Sequence, residues 1–177
     1  MIDRLSLFTA FEALEQERAR GRNTGIVVPI DLSTLEGVPW RWLAAELIRH
    51  SALARGLVLE MEATAALLEP EALERIVKLR ALGVRIGVHD PGCGLASTQT
   101  WSMLPVDVLR LPLSIVEGLP AQGSSEKFLR WKQQGRRLIF DGVQAASSIP
   151  LLCELGADYV SGDGVAAIGP KLDFEFG

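Results

Sequence analysis

Six short apolar runs in this chain end on, or just before, side chains that could do chemistry. Asp31 follows IVVPI, Glu60 lies in LVLEM, His89 and Asp90 close RIGVHD, Asp141 follows RLIF, and Asp163 stands in SGDG just beyond ADYV. Arg110 sits near the end of VDVLRL. In a barrel of parallel strands the strand C-termini converge on one mouth, where catalytic groups and ligands are found. Carboxylates gathered there can hold a metal that activates water, and a guanidinium can hold phosphate. Strands also end on polar residues simply because they enter loops. One such position says little; six in succession point to a site.

The elements that would position those groups alternate along the chain. Leu5, Phe8, Phe11 and Leu14 recur at helical spacing within 3–21, so one helix face is expected to be buried. The β-branched run IVVPIDL (26–32) follows, then a helix over 38–54 and a buried strand LVLEM (57–61). PEALERIVKLRAL (70–82) has Pro70 in its first turn, Leu73, Ile76, Val77 and Leu82 on one side, and Gly83 as its stop. RIGVH (85–89) and VDVLRL (106–111) read as strands. A serine-capped helix over 124–134 stops at Gly135 before the strand RLIF (137–140), and a short helix over 147–155, starting at Ser148, precedes ADYV (157–160). Six strands mostly separated by helices predict a parallel sheet in an α/β fold.

Composition narrows the function classes. With 177 residues, 48% hydrophobic and 23% charged, the chain suffices for one domain with a substantial core. A net charge of -4 with dispersed Lys and Arg offers no basic stripe for long nucleic acid, although a small anion is not excluded. Cys93 and Cys153 match no metal or CxxC spacing. No signal-peptide apolar region and no run of about 18 apolar residues occur, so the expectation is a cytoplasmic protein that does not insert into a membrane.

Four blocks carry a resemblance by their order and spacing over roughly residues 26–170: IDLS, LVLEMEA, VHDPGCG with VLRLP, and FDGVQ with YVSGDG. Together they resemble an EAL domain, a family of cyclic-di-GMP phosphodiesterases and inactive relatives built on a modified TIM barrel. The resemblance implies Mg²⁺ or Mn²⁺, held by carboxylates and an asparagine, as the activator of water in active members. It also places the family's residues one at a time. The asparagine falls on Asp31, and the first glutamate of the LEITE-like block is kept as Glu60 while the second falls on Ala63. The first aspartate of the DDFGTG loop falls on His89 and the second is kept as Asp90, with Pro91 and Cys93 at the phenylalanine and threonine. The VLKID lysine falls on Arg110 and its aspartate on Pro112. The two glutamates of AEGVE fall on Asp141 and Gln144, and the glutamine of the final QG pair on Ser161.

Each departure has a chemical meaning. Imidazole is a poor ligand for Mg²⁺. Arg110 keeps a charge but cannot give up its proton. Asp141 withdraws its carboxylate by one methylene, and a misplacement of about 1 Å can cost about 10²-fold in rate. The literal triplets Glu12-Ala13-Leu14 and Glu71-Ala72-Leu73 lie in helical segments, where neither can be the signature strand. The expected fold is thus an incomplete TIM-like barrel of about six mostly parallel strands, lacking the family's first two. A single EAL-like domain spans 1–177, with an N-terminal helix over 1–24, a barrel core over 25–170 and a tail over 171–177. No catalytic residue, metal or other cofactor is expected; a retained metal would use Asp31, Glu60 and Asp90 with Mg or Mn.

The strand near Ile26–Ile30 is left as an apolar edge. With the N-terminal helix it is the expected surface for a protein partner or a homodimer. The leading function is a non-catalytic EAL-like regulatory or interaction domain in bacterial cyclic-di-GMP signalling or a derived pathway. The alternatives are a receptor that binds cyclic-di-GMP without hydrolysis and an active metal-dependent phosphodiesterase. Elsewhere, Trp40, Trp42, Trp101 and Trp131 are expected mainly in packing, His50 at the surface, Cys153 in the core, Asp163 in a turn and 112–124 in a loop.

Overall fold

The computed structural model describes residues 4–90, 104–117 and 124–165. The expectations for Cys93, Trp101 and the tail, together with much of those for the two loops, lie outside them. Helix α1 (Arg4–Ala19) leads to β1 (Ile26–Pro29), then α2 (Gly37–Arg49), α3 (Ser51–Ala54), β2 (Leu57–Glu62), α4 (Pro70–Ala81) and β3 (Arg85–His89). The second half holds β4 (Val108–Pro112), α5 (Ser114–Glu117), α6 (Ser124–Gln133), β5 (Arg137–Asp141), α7 (Ile149–Glu154) and β6 (Tyr159–Val160). The strands form one six-stranded sheet in sequence order, every neighbouring pair parallel, which is a partial TIM-like barrel.

Strand periodicity gives the sheet two unlike faces. Leu57, Leu59, Met61, Ile86, Val88, Leu109, Leu111, Leu138 and Phe140 face the helices and belong to one continuous core. Phe128 and Trp131 of α6 close over that core; the Phe128 ring meets Phe140 edge-on at 5.5 Å. On the other face a small cluster of Val58, Val108 and Ile139, with Val27 against it, lies below the charged strand ends.

Several helical details differ from the sequence-based expectation. The buried face of α1 is Leu7, Ala10, Phe11, Leu14 and Glu17, whereas Leu5 is 71% exposed and Phe8 39%. Two apolar stripes share that helix, and the i, i+3, i+7 stripe ending in Leu14 packs beside the turn at Gly56. The helix expected over 38–54 is broken at His50, which stacks on Phe11 at 4.3 Å and is half-buried. On α4 the buried pair is Ile76 and Leu79, with Val77 exposed. Cys153 is exposed, because α7 turns Leu152 inward instead. The run expected to reach residue 32 ends at Pro29, since the Asp31 carboxylate accepts the Ser33 amide at 2.9 Å and turns the chain into a 3-10 segment.

β1 is a sheet edge among the described residues. The amides of Ile26 and of Ile30, just beyond the strand, donate to Gly56 and Glu60 carbonyls, both at 2.8 Å, so the intervening Val27 and Pro29 present their backbone to the other side. Pro29 is exposed and has no N–H to offer a further strand there.

Candidate functional site

Parallel register assembles the strand ends on the inner face. Pro29 pairs with Glu60, Glu60 with Gly87, Glu62 with His89, His89 with Arg110, and Pro112 with Asp141. Glu60 and Arg110 are separated by the whole of β3, yet Arg110 Nε donates to Glu60 Oε1 at 2.8 Å. Gly87, the register partner of Glu60, lies in the strand between them. A Cβ there would stand 3.1 Å from Val58 Cγ1 and 3.5 Å from Cβ and Cγ of Glu60, so its absence leaves a lane across β3. The paired side chains are only 18% and 13% exposed, which removes much of the solvent screening an ion pair has at the surface.

A second cation-carboxylate contact stands beside the first. His89 Nε2 lies 3.6 Å from Asp141 Oδ2, an ion pair whenever the imidazole is protonated. Next to both, a cleft of about 390 Å³ is lined by Asp31, Glu60, Glu62, Thr64 and His89 together with backbone-rich positions of β1 and β2. The Asp31 carboxyl is held below the ordinary carboxylate range, first by the Ser33 hydroxyl and then by the Ser33 amide.

The structure thus brings Asp31, Glu60, His89, Arg110 and Asp141 to one mouth. Asp90 is 1% exposed at the end of β3, where its amide donates to the Arg110 carbonyl at 3.0 Å. Gln144 is exposed beyond β5. Ser161 extends the β5–β6 ladder through its backbone, donating to Phe140 and accepting from Val143. Glu62 and Thr64, absent from the sequence-based set, also line the cleft. Alternation in LVLEME carried the signal for Glu62, two residues from Glu60 on the same face.

An EAL domain family model matches residues 1–167. The chain belongs to the EAL domain family. A curated relative, an uncharacterized protein of Azorhizobium caulinodans, is 28% identical over 168 residues, covering 87% of this chain and 23% of its own length. The chain therefore spans about a quarter of that relative. Among solved structures, the EAL domain of Xanthomonas citri FimX in complex with c-diGMP has a TM-score of 0.78 at 23% identity, covering 98% of this chain and 72% of that one. The PaMucR phosphodiesterase in its c-di-GMP complex has a TM-score of 0.69 at 20% identity, covering 90% and 69%. An EAL domain protein of Listeria monocytogenes has a TM-score of 0.70 at 20% identity, covering 92% and 67%. In this EAL domain both literal Glu-Ala-Leu triplets lie in helices, α1 and α4. No described helix is long and apolar enough to cross a membrane.

The family's Mg²⁺ or Mn²⁺ requires several hard oxygen donors around one point. Among the described residues, the donors of this EAL domain do not fit it. Glu60 is engaged by a guanidinium, His89 offers nitrogen and not oxygen, and Asp31 spends one oxygen on its own turn. Among the described residues no three His, Cys, Asp or Glu side chains stand close enough to share a metal ion.

Proposed function

We propose that this chain is a non-catalytic EAL domain that acts through protein contacts in cyclic-di-GMP signalling or a pathway derived from it. The observation that carries this reading is the 2.8 Å bond from Arg110 to Glu60. Hydrolysis of a phosphodiester by this fold calls for a carboxylate free to hold a cation that activates water. Here the retained carboxylate is already neutralised from within. The remaining ionisable groups on the cleft wall, Asp31, Glu62 and His89, keep a net negative charge even with a positive imidazole and would repel a doubly anionic nucleotide.

The contact surface we assign is the open side at β1 and the outer stripe of α1. Leu5 is 71% exposed, and Phe8, 39% exposed, meets the Trp42 ring at 6.1 Å with Arg4 stacked over it at 4.8 Å. An aromatic group with a flanking arginine is the composition of interface anchors.

Calorimetric titration with cyclic-di-GMP, with and without Mg²⁺ or Mn²⁺, tests the reading when the same samples are assayed for the linear product. Absence of turnover in every sample is expected. Binding without turnover would make the domain a nucleotide receptor, and metal-dependent turnover would overturn the proposal.

A further inference from the structure

The metal-site disagreement has a specific structural source. Glu60 is retained at the family's carboxylate position, sits only 13% exposed, and needs a positive partner at that burial. Arg110 reaches it across the lane left by Gly87. Arginine suits the task because its guanidinium stays charged, is less strongly hydrated than an ammonium, and presents several donors. Among the described residues the wall of the adjoining cleft carries no permanent cation of its own: its lining is apolar, hydroxyl or carboxylate apart from His89.

We infer that the Arg110 guanidinium is the resident cation of this mouth, replacing a divalent metal by an internal charge and thereby excluding the metal. The inference rests on the non-catalytic reading and deepens it. Arg110 acts here as a positioning residue: it fixes the Glu60 carboxylate over β3 and keeps the mouth in one arrangement without an added ion. Removing its charge leaves Glu60 half-enclosed beside Asp31, Glu62 and His89, a set that can then draw together around an external cation.

The test uses Mn²⁺ alone as the probe, followed by the free-ion paramagnetic resonance signal and by thermal melting. The wild-type chain is expected to leave the Mn²⁺ signal undiminished and to melt at the same temperature in about 1 mM Mn²⁺ and in chelator, since an ion that does not bind the native state cannot stabilise it. Arg110→Met is expected to melt lower and to take up about one Mn²⁺ per chain at least about tenfold more tightly than wild type, with the melting temperature rising as the ion binds. Adding Glu60→Gln to Arg110→Met should abolish the gained affinity. Arg110→Gln, which keeps a hydrogen-bond donor without the charge, serves where the methionine variant does not fold. Saturable Mn²⁺ binding by wild type without nucleotide turnover would overturn the resident-cation assignment and leave the non-catalytic reading intact. Binding with turnover would overturn both. Variants that fold and gain no Mn²⁺ affinity would reduce Arg110 to an ordinary structural ion pair and overturn the inference.

Discussion

The two faces of one sheet are held in different ways. Leu138 and Ile139 are adjacent in β5, yet Leu138 faces the helices in the main core while Ile139 faces the barrel interior, clustered among the described residues with Val58, Val108 and Val27. The helix side is apolar along the full strand length. The interior side is apolar only at its floor and ionic at its mouth, where Glu60, Arg110, His89 and Asp141 meet. Stability is therefore concentrated on the face remote from the site, and the inner face is free to carry charge. Polar side chains that would be intolerable in a core, such as those of His89 and Asp141, are accommodated on the inner face because its rim is partly exposed.

The largest effect that tests this comparison is truncation at the two neighbours. Leu138→Ala is expected to cost about 4 kcal/mol and Ile139→Ala about 2 kcal/mol in denaturant unfolding, because only the first opens a cavity in a closed core. Equal losses would mean that the interior floor is packed as tightly as the helix side. Next in size is Gly87→Val, which fills the lane between Glu60 and Arg110 and overpacks Val58, at roughly 1–3 kcal/mol. In an Arg110→Met background the same substitution should cost less, and full additivity in that double-mutant cycle would show that the lane and the ion pair are unconnected.

A smaller effect concerns the edge. Pro29→Val restores one backbone donor on the open side of β1, worth about 1 kcal/mol net if a strand from another molecule accepts it. Sedimentation velocity should then show self-association strengthened roughly fivefold over wild type. An unchanged distribution would indicate that side-chain shape, and not the missing N–H, keeps the edge from pairing.

How far this was legible in sequence depends on whether period or partner was being read. The order of helices and strands, and the arrival of Asp31, Glu60, His89 and Asp141 at one mouth, follow from alternation and from parallel connection, which are local or topological rules. The buried stripe of α1 was not legible, because Leu5 and Phe8 form as regular a series as Leu7, Phe11 and Leu14, and tertiary packing alone chooses between them. Nor was the burial of Glu17, satisfied by Arg20 and Arg22, or of Glu46, satisfied by Arg49. The Glu60–Arg110 pair was invisible for a related reason. It spans 50 residues and two strand registers, and it crosses the strand between at a glycine.

The weakest contribution to the mouth comes from an exposed acid, Asp31. The folded Asp31 carboxyl titrates below its unfolded value because the Ser33 hydroxyl and amide both favour the charged form. A lowered carboxyl stabilises the native state above the unfolded value near pH 4 and ceases to do so as pH falls through the folded value. Asp31→Ala should therefore lose about 0.5 kcal/mol at neutral pH, the low end for a solvent-exposed cap. The deficit should vanish in acid, so the wild-type and variant unfolding curves converge at the low end of the pH series. A deficit that persists unchanged in acid would show that the cap acts through the shape of the turn alone, and that this carboxylate adds no charge-dependent order to the mouth.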